Sequence, residues 1–229
     1  MDCLEGMKEI QDNSVDLILT DCPYKTIAGG STTLSGGIFS SQESKKGVHF
    51  IHNTIEFHEW VYECYRVLKE KTHIYIMVND RNLHKLINEC EKAKFKLVNI
   101  LVWQKNKCTP NRYYMKNCEF IVMLRKGEAK TINNPDSRQL IKTNNIIGNK
   151  LHPTQKPVNL FEFLITNSTN EGELVLDMFM GSGTTAVACI NTNRKYIGFE
   201  INEEYWITAS QRIEDAILER NQIRIEDII

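Results

Sequence analysis

The chain has 229 residues, with 28 Lys and Arg against 29 Asp and Glu, a formal net charge of −1, and 41% apolar residues. A length of this order buries a sizeable core and reads most simply as one domain over 1–229. No apolar run approaches the ~20 residues of a membrane span and no charged-then-apolar leader is seen, so a cytoplasmic protein with no membrane association is expected. Seven cysteines without Cys-x-x-Cys spacing exclude a zinc-finger pattern, and His49, His52 and His58 lack acidic or Cys companions at ligand spacing, so no metal is assigned.

Leu4 to Ile10 reads as a short helix, Gln11 to Ser14 as a turn and Val15 to Thr20 as a buried strand. The strand runs into Asp21-Cys22-Pro23-Tyr24. Pro23 fixes its own φ and biases Cys22 towards extended backbone, so the chain leaves the strand in a defined direction and Asp21 and Tyr24 can face one pocket. An Asp-x-Pro turn after a strand is also common in its own right. Lys25 to Ile55 has no apolar period and is rich in Gly, Ser and Thr; it reads as a loop over 25–55, either a lid beside Tyr24 or a plain connection.

Phe57, Trp60, Val61, Cys64 and Leu68 recur at helical spacing and predict a helix with a core-facing stripe. A strand from His73 to Asn79 and a helix with Leu83, Leu86, Ile87 and Cys90 follow. Leu97 to Trp103 and Glu119 to Leu124 predict strands of an antiparallel hairpin, and Leu160, Phe161, Leu164 and Ile165 mark another helix. Leu174 to Asp177 is a short strand, followed by the turn Met178-Phe179-Met180-Gly181-Ser182-Gly183 and a helix start. The strand Tyr196 to Phe199 ends at Glu200, and Tyr205 to Arg220 is the last long helix. This alternation predicts an α/β fold, a mostly parallel sheet with helices on both faces and ligands at the carboxyl ends of its strands.

The glycine turn offers tight backbone geometry and free helix N-terminal amides, while Glu200 can accept from ribose hydroxyls, so the unit suits an adenosine-containing cofactor. Gly181-x-Gly183-x-x-Ala186 with an acid further on also satisfies the dinucleotide fingerprint, so the glycines alone do not separate a nicotinamide enzyme from other users of adenosine. Charge is unevenly placed. From Gln104 to Lys156 eleven basic residues face three acids, and the tail from Glu200 is acidic. A basic stretch of this kind is the electrostatic footprint expected for phosphates.

Asp21-Cys22-Pro23-Tyr24 resembles the Asp-Pro-Pro-Tyr signature of amino-methyltransferases that methylate adenine or cytosine in DNA, with Cys22 in place of the first proline. Asp177-x-Phe179-x-Gly181-x-Gly183 resembles their S-adenosylmethionine loop, and His152-Pro153-Thr154-Gln155-Lys156-Pro157 their third cofactor motif. The order of the three is the permuted arrangement of the β group, and the resemblance covers nearly the whole chain. It implies a Rossmann-like S-adenosylmethionine-dependent methyltransferase fold, with Asp21, Cys22, Pro23 and Tyr24 at the catalytic site. Cofactor contacts are implied for Asp21, His152, Thr154, Gln155, Lys156, Pro157, Asp177, Phe179, Gly181, Ser182, Gly183, Thr184, Thr185 and Glu200. In similar enzymes the acid at this point ends a strand and contacts the cofactor adenine, a role for which Asp2 is the candidate.

The resemblance further implies double-stranded DNA as substrate, and is compatible with a homodimer and a cognate restriction nuclease. Lys105, Lys107, Arg112 and Lys116 are expected on the DNA backbone, with Tyr113 and Tyr114 placed to fill the gap left by a flipped base. Arg125 to Lys150 (125–150) would be a short recognition insertion. Asp at the first motif position favours adenine N6, and cytosine N4 is the alternative. Methylation of RNA or of a protein amide, a nucleic-acid-binding relic without turnover, and a dehydrogenase are the others. Covalent catalysis by Cys22 is disfavoured, because the thiol precedes the proline and lacks a neighbouring base.

Overall fold

Apolar residues on both sides of the strands require cover on both faces of a sheet, and the order of elements supplies it. A computed structural model describes residues 1–23, 55–109, 113–128, 130–144 and 155–226. The elements are α1 (Cys3–Lys8), β1 (Val15–Asp21), α2 (Phe57–Val67), β2 (Leu68–Val78), α3 (Leu83–Lys92), β3 (Lys96–Thr109), β4 (Lys116–Arg125), β5 (Leu140–Lys142), α4 (Val158–Ser168), β6 (Leu174–Asp177), α5 (Thr184–Asn191), β7 (Lys195–Gly198) and α6 (Glu203–Glu226). Among the described residues seven strands form one sheet in the order β5-β3-β4-β2-β1-β6-β7. β4 alone runs against the rest, pairing antiparallel with β2 and β3, while the other neighbours are parallel.

Alternate residues divide between two cores. Ile18, Ile74, Ile76, Val122 and Leu176 face α1, α2 and α3, with Trp60, Val61 and Cys64 opposite them. Leu17, Leu19, Tyr75, Met77, Ile121 and Val175 face α4 and α5, against Leu160, Phe161, Leu164 and Ala188. Each large side chain taken fully out of water contributes about 1.5–3 kcal/mol, so these two layers supply the main drive for the fold. The Phe57 and Trp60 stripe is core, as its spacing predicts: Trp60 is fully buried, with Phe57 and Phe179 edge-on to it at 6.2 and 5.5 Å between centroids.

Bounds shift at several elements, with β3 running on to Thr109, β4 starting at Lys116 and α6 spanning Glu203–Glu226, and two differences have a clear physical cause. β2 begins at Leu68 and not at His73, because Leu68 is paired with Val15 and Lys69 with the Asp16 carboxylate at 2.6 Å, so a polar run without strand period is recruited as strand. Residues Leu140–Lys142, inside the stretch 125–150 read as an insertion, form β5 on the sheet edge beside Val102 to Gln104. One buried residue, Ile141, anchors it. Nearly all of the 25–55 segment lies outside the described residues.

Candidate active site

β1 and β6 are adjacent and parallel, with Leu17 beside Val175 and Ile18 beside Leu176, so the two motifs at their carboxyl ends share one edge of the sheet despite their distance in sequence. Asp177 ties them together. Its Oδ1 accepts from the Thr20 hydroxyl at 2.7 Å and from the Phe179 amide at 3.1 Å, and its Oδ2 accepts from the Thr185 hydroxyl. Burial pushes this carboxyl up to about 6, against the pull of those three donors. Asp177 and Thr185 are therefore built into the frame that carries the loop.

The glycine turn depends on left-handed backbone at Gly181 (φ 53°) and Gly183 (φ 80°), a region in which a Cβ is strained. The turn closes by Gly183 donating to the Met180 carbonyl at 2.9 Å, and its position against β7 is set by Met180 donating to Phe199 at 2.9 Å. Gly183 precedes Thr184 at the start of α5, whose first amides have no side-chain cap from that residue. A Cβ on Gly183 would meet Ala209 Cβ at 3.1 Å and Cα at 3.3 Å, so this glycine is needed where α6 crosses the loop. Arg212 of α6 holds the loop from behind, donating to the Ser182 carbonyl and, at 3.1 Å, to its hydroxyl.

Glu200, just past β7, accepts from the Gly181 amide at 2.9 Å through one oxygen and from the Asn202 amide at 2.8 Å through the other. Each oxygen keeps a lone pair, so the carboxylate is oriented and able to accept from a diol. Asp2 sits close by: its side chain accepts from Leu4 at 2.7 Å as the N-cap of α1, and Gly6 of that helix lies directly on the Phe199 ring. An adenosine moiety fits this donor and acceptor set. Phe179 leaves the loop to pack on Trp60, half-buried in the core.

At the end of β1, Asp21 meets Lys156, which closes an ion pair on its Oδ2. Pro157 adopts extended backbone (φ −65°, ψ 134°) and starts α4, which fixes Lys156 just before that helix. The same ammonium lies 3.5 Å from Glu119 Oε2, and Lys105 donates to Glu119 Oε1 at 2.7 Å. The antiparallel course of β4 explains the convergence: its first residues lie at the edge where β1 and β3 end. Burial raises the Asp21 carboxyl above its ordinary range although Lys156 pulls it down. Burial also opposes charge on Glu119, yet Lys156 and Lys105 together hold that carboxyl below its ordinary range.

Cys22 is 2% exposed, donates its thiol to the Met77 carbonyl at 3.4 Å, and burial raises it well above the ordinary thiol range. This is a residue of the core layer that also holds Cys64 and Cys90, and its protonated thiol is a poor nucleophile. Pro23 and Gln155 are half-buried beside their neighbours. Tyr24, His152 and Thr154 lie outside the described residues.

The β3–β4 hairpin overhangs the same edge. Pairing passes from Gln104–Cys118 to Thr109–Lys116, so four residues of β3 oppose one of β4. Beyond it Tyr113 and Tyr114 are 82% and 88% exposed. Lys116 pairs with Asp80 at 2.7 Å on the surface, whereas Lys105 is turned inward to Glu119. The Lys107 side chain and Arg112 lie outside the described residues. Sequence reading missed the roles of Glu119, Thr20 and Arg212. The signal for Glu119 was a lone acid opening the apolar run Phe120 to Leu124, in a stretch otherwise dominated by Lys and Arg.

Among the described residues no group of His, Cys, Asp and Glu could hold a metal ion, and no helix is long and apolar enough to cross a membrane. The Type II methyltransferase M.HpaI of Haemophilus parainfluenzae is 32% identical over 92% of this chain and 72% of its own length. M2.MboI of Moraxella bovis is 28% identical over 92% of this chain and 84% of its own length. Among solved structures, the M1.HpyAVI-SAM complex has a TM-score of 0.69 at 28% identity, covering 92% of this chain and 96% of its own. PvuII DNA methyltransferase, described as cytosine-N4-specific, shares the fold, with a TM-score of 0.72 at 19% identity over 97% of this chain and 90% of its own. The N6-N4 methyltransferase family model, DNA methylase, matches residues 15–211, and the chain belongs to that family of DNA amino-methyltransferases.

Proposed function

We propose that the protein transfers a methyl group from S-adenosylmethionine to the N6 amino group of adenine in double-stranded DNA. The observation that carries this reading is the Asp21 carboxylate at the end of β1, beside the β6 glycine turn, at the edge where a base and an adenosine can meet. The cofactor supplies a methyl group activated by a sulfonium. Glu200 and Asp2 would hold its adenosine end, and the turn at Gly181, Ser182 and Gly183 would approach it with backbone only.

An exocyclic amine is a poor nucleophile because its lone pair is delocalised into the ring. The residues must therefore favour the pyramidal nitrogen that forms as the methyl arrives. Asp21 would accept one N–H and the Cys22 carbonyl another, so the charge developing on nitrogen meets preorganised acceptors. The nitrogen–methyl bond forms as the sulfur–methyl bond breaks to leave a thioether, and the methylated nitrogen then releases one proton to solvent. Tyr24 would stack on the flipped base. Replacement of a proline by Cys22 leaves that carbonyl in place. Asp as the first residue of the motif supports adenine over cytosine.

The test is transfer of labelled methyl from S-adenosylmethionine to duplex DNA followed by digestion to nucleosides. N6-methyladenine is expected. N4-methylcytosine alone would assign the cytosine branch, and label found only in RNA or protein would overturn the reading.

A further inference from the structure

Four charges of alternating sign, Asp21, Lys156, Glu119 and Lys105, meet at the reacting edge of the sheet. They come from β1, the segment before α4, β4 and β3, and none has more than a quarter of its side chain exposed. Asp21 faces conflicting demands here. To receive an amino group it must be ionised and must be a strong acceptor. Lys156 favours the ionised form, yet its positive charge on Oδ2 weakens the carboxylate as an acceptor for a neutral amine. Simply removing that lysine would leave a buried carboxylate uncompensated, which favours its protonation.

Glu119 resolves the conflict by offering a second anionic partner. Its Oε1 is taken by Lys105 at 2.7 Å, which fixes the carboxylate, while its Oε2 stands 3.5 Å from the Lys156 ammonium. A charged hydrogen bond closes at about 2.7–2.9 Å, so a shift of less than ~1 Å would move Lys156 from Asp21 onto Glu119. The pairs exchange without any proton changing place: Asp21–Lys156 opens, Lys156–Glu119 closes, and Asp21 accepts the incoming N–H. The total charge of the group stays at zero throughout.

We propose that Glu119 is a positioning residue for methyl transfer, drawing Lys156 off Asp21 as the target amine arrives, with Lys105 holding Glu119 in place. This rests on the reading of Asp21 as the acceptor for the base. It assigns to β3 and β4 a part in turnover separate from contact with DNA.

The experiment is a double-mutant cycle in the full chain, read as single-turnover methyl transfer to DNA together with cofactor and DNA affinities. Glu119→Gln should lower the rate about tenfold or more and leave both affinities within about twofold, because Lys156 then stays on Asp21. In a Lys156→Met background the same Glu119→Gln change should cost less than about twofold, since the group through which it acts is gone. Glu119→Asp, which keeps the charge, should recover part of the loss. Lys105→Met, which releases the other oxygen, should show the same dependence on Lys156 and serves as the probe if Glu119→Gln does not fold. A wild-type rate in Glu119→Gln, or an equal loss in both backgrounds, would overturn the proposal. Asp21→Ala run alongside separates the two ideas: retained turnover there sinks the reading of Asp21, whereas a dead Asp21→Ala beside an unimpaired Glu119→Gln sinks only the role of Glu119.

Discussion

Asp21 and Asp177 end neighbouring strands, yet their surroundings give them different work. Asp21 carries an ion pair and, in the proposed function, receives the base, so its loss should be felt in chemistry. Asp21→Ala is expected to lower turnover by about 10²–10³-fold, the scale for removing one preorganised charge partner, with cofactor affinity in calorimetry changed little. Loss of cofactor binding with turnover preserved per bound complex would mean that the two sites are misassigned. Cys22→Ala should retain most turnover, because the thiol points at Met77 and the backbone carbonyl is kept; a dead Cys22→Ala that still folds would reinstate a chemical role for the sulfur.

Asp177 faces inward, and its burial has a consequence for stability against pH. Its carboxyl is raised in the folded chain to about 6 from an ordinary value near 4, so the folded state holds a proton that the unfolded chain has already released. The favourable term is fully present below about pH 4 and is lost as pH rises through about 6, a span worth roughly 3 kcal/mol. Asp177→Asn should remove that slope while keeping the bonds from Thr20 and Phe179, with the Thr185 hydroxyl turning to accept. Urea unfolding of both chains across pH 4 to 8 checks this; parallel stability curves would show that Asp177 carries no such linkage.

Among the elements, the crossing of α6 constrains the glycine turn proposed to hold the cofactor. A side chain at Gly183 runs first into Ala209 and into a positive φ. Gly183→Ala should therefore cost about 1–2 kcal/mol of stability and weaken cofactor binding together, a coupling visible by comparing denaturation with calorimetry. Arg212→Met should act on the same loop through the lost bonds to Ser182, lowering cofactor affinity with DNA affinity unchanged. If it leaves the cofactor untouched, α6 does not hold the loop in its binding shape.

Those elements differ in how much of them the residues declared. β1, β4 and β6 were legible because uninterrupted apolar runs of strand length have few other uses, and the alternation into helices then implied the parallel order. β5 was not, since three residues with one buried side chain carry no period, and neither was the start of β2, where pairing with Val15 overrides a Lys-Glu-Lys run. In the site, Asp21 and the turn from Asp177 to Gly183 stood out because Pro and Gly punctuate strand ends. Glu119 and Lys105 did not, because a charge that pairs across strands looks, along the chain, like any solvated charge. Counting Lys105 among the basic excess treated as surface a residue that the antiparallel return of β4 turns inward.

For the whole molecule, this changes the expected path of DNA. The overhanging β3–β4 hairpin still presents Tyr113, Tyr114 and Lys116 beyond the reacting edge, and the Lys116–Asp80 pair is a surface contact worth about 0–1 kcal/mol, which a phosphate can displace. Each cation that neutralises a phosphate contributes about −0.9 to the slope of log affinity against log salt. The triple variant Lys107→Gln, Arg112→Gln, Lys116→Gln should therefore flatten the slope by roughly 2.7 units and weaken binding to all sequences alike. Lys105→Gln, engaged with Glu119, should leave the slope unchanged and act on the rate instead. A slope that moves by about 0.9 in Lys105→Gln would place that lysine on the DNA backbone, and a slope indifferent to the triple variant would take the hairpin out of the DNA track altogether.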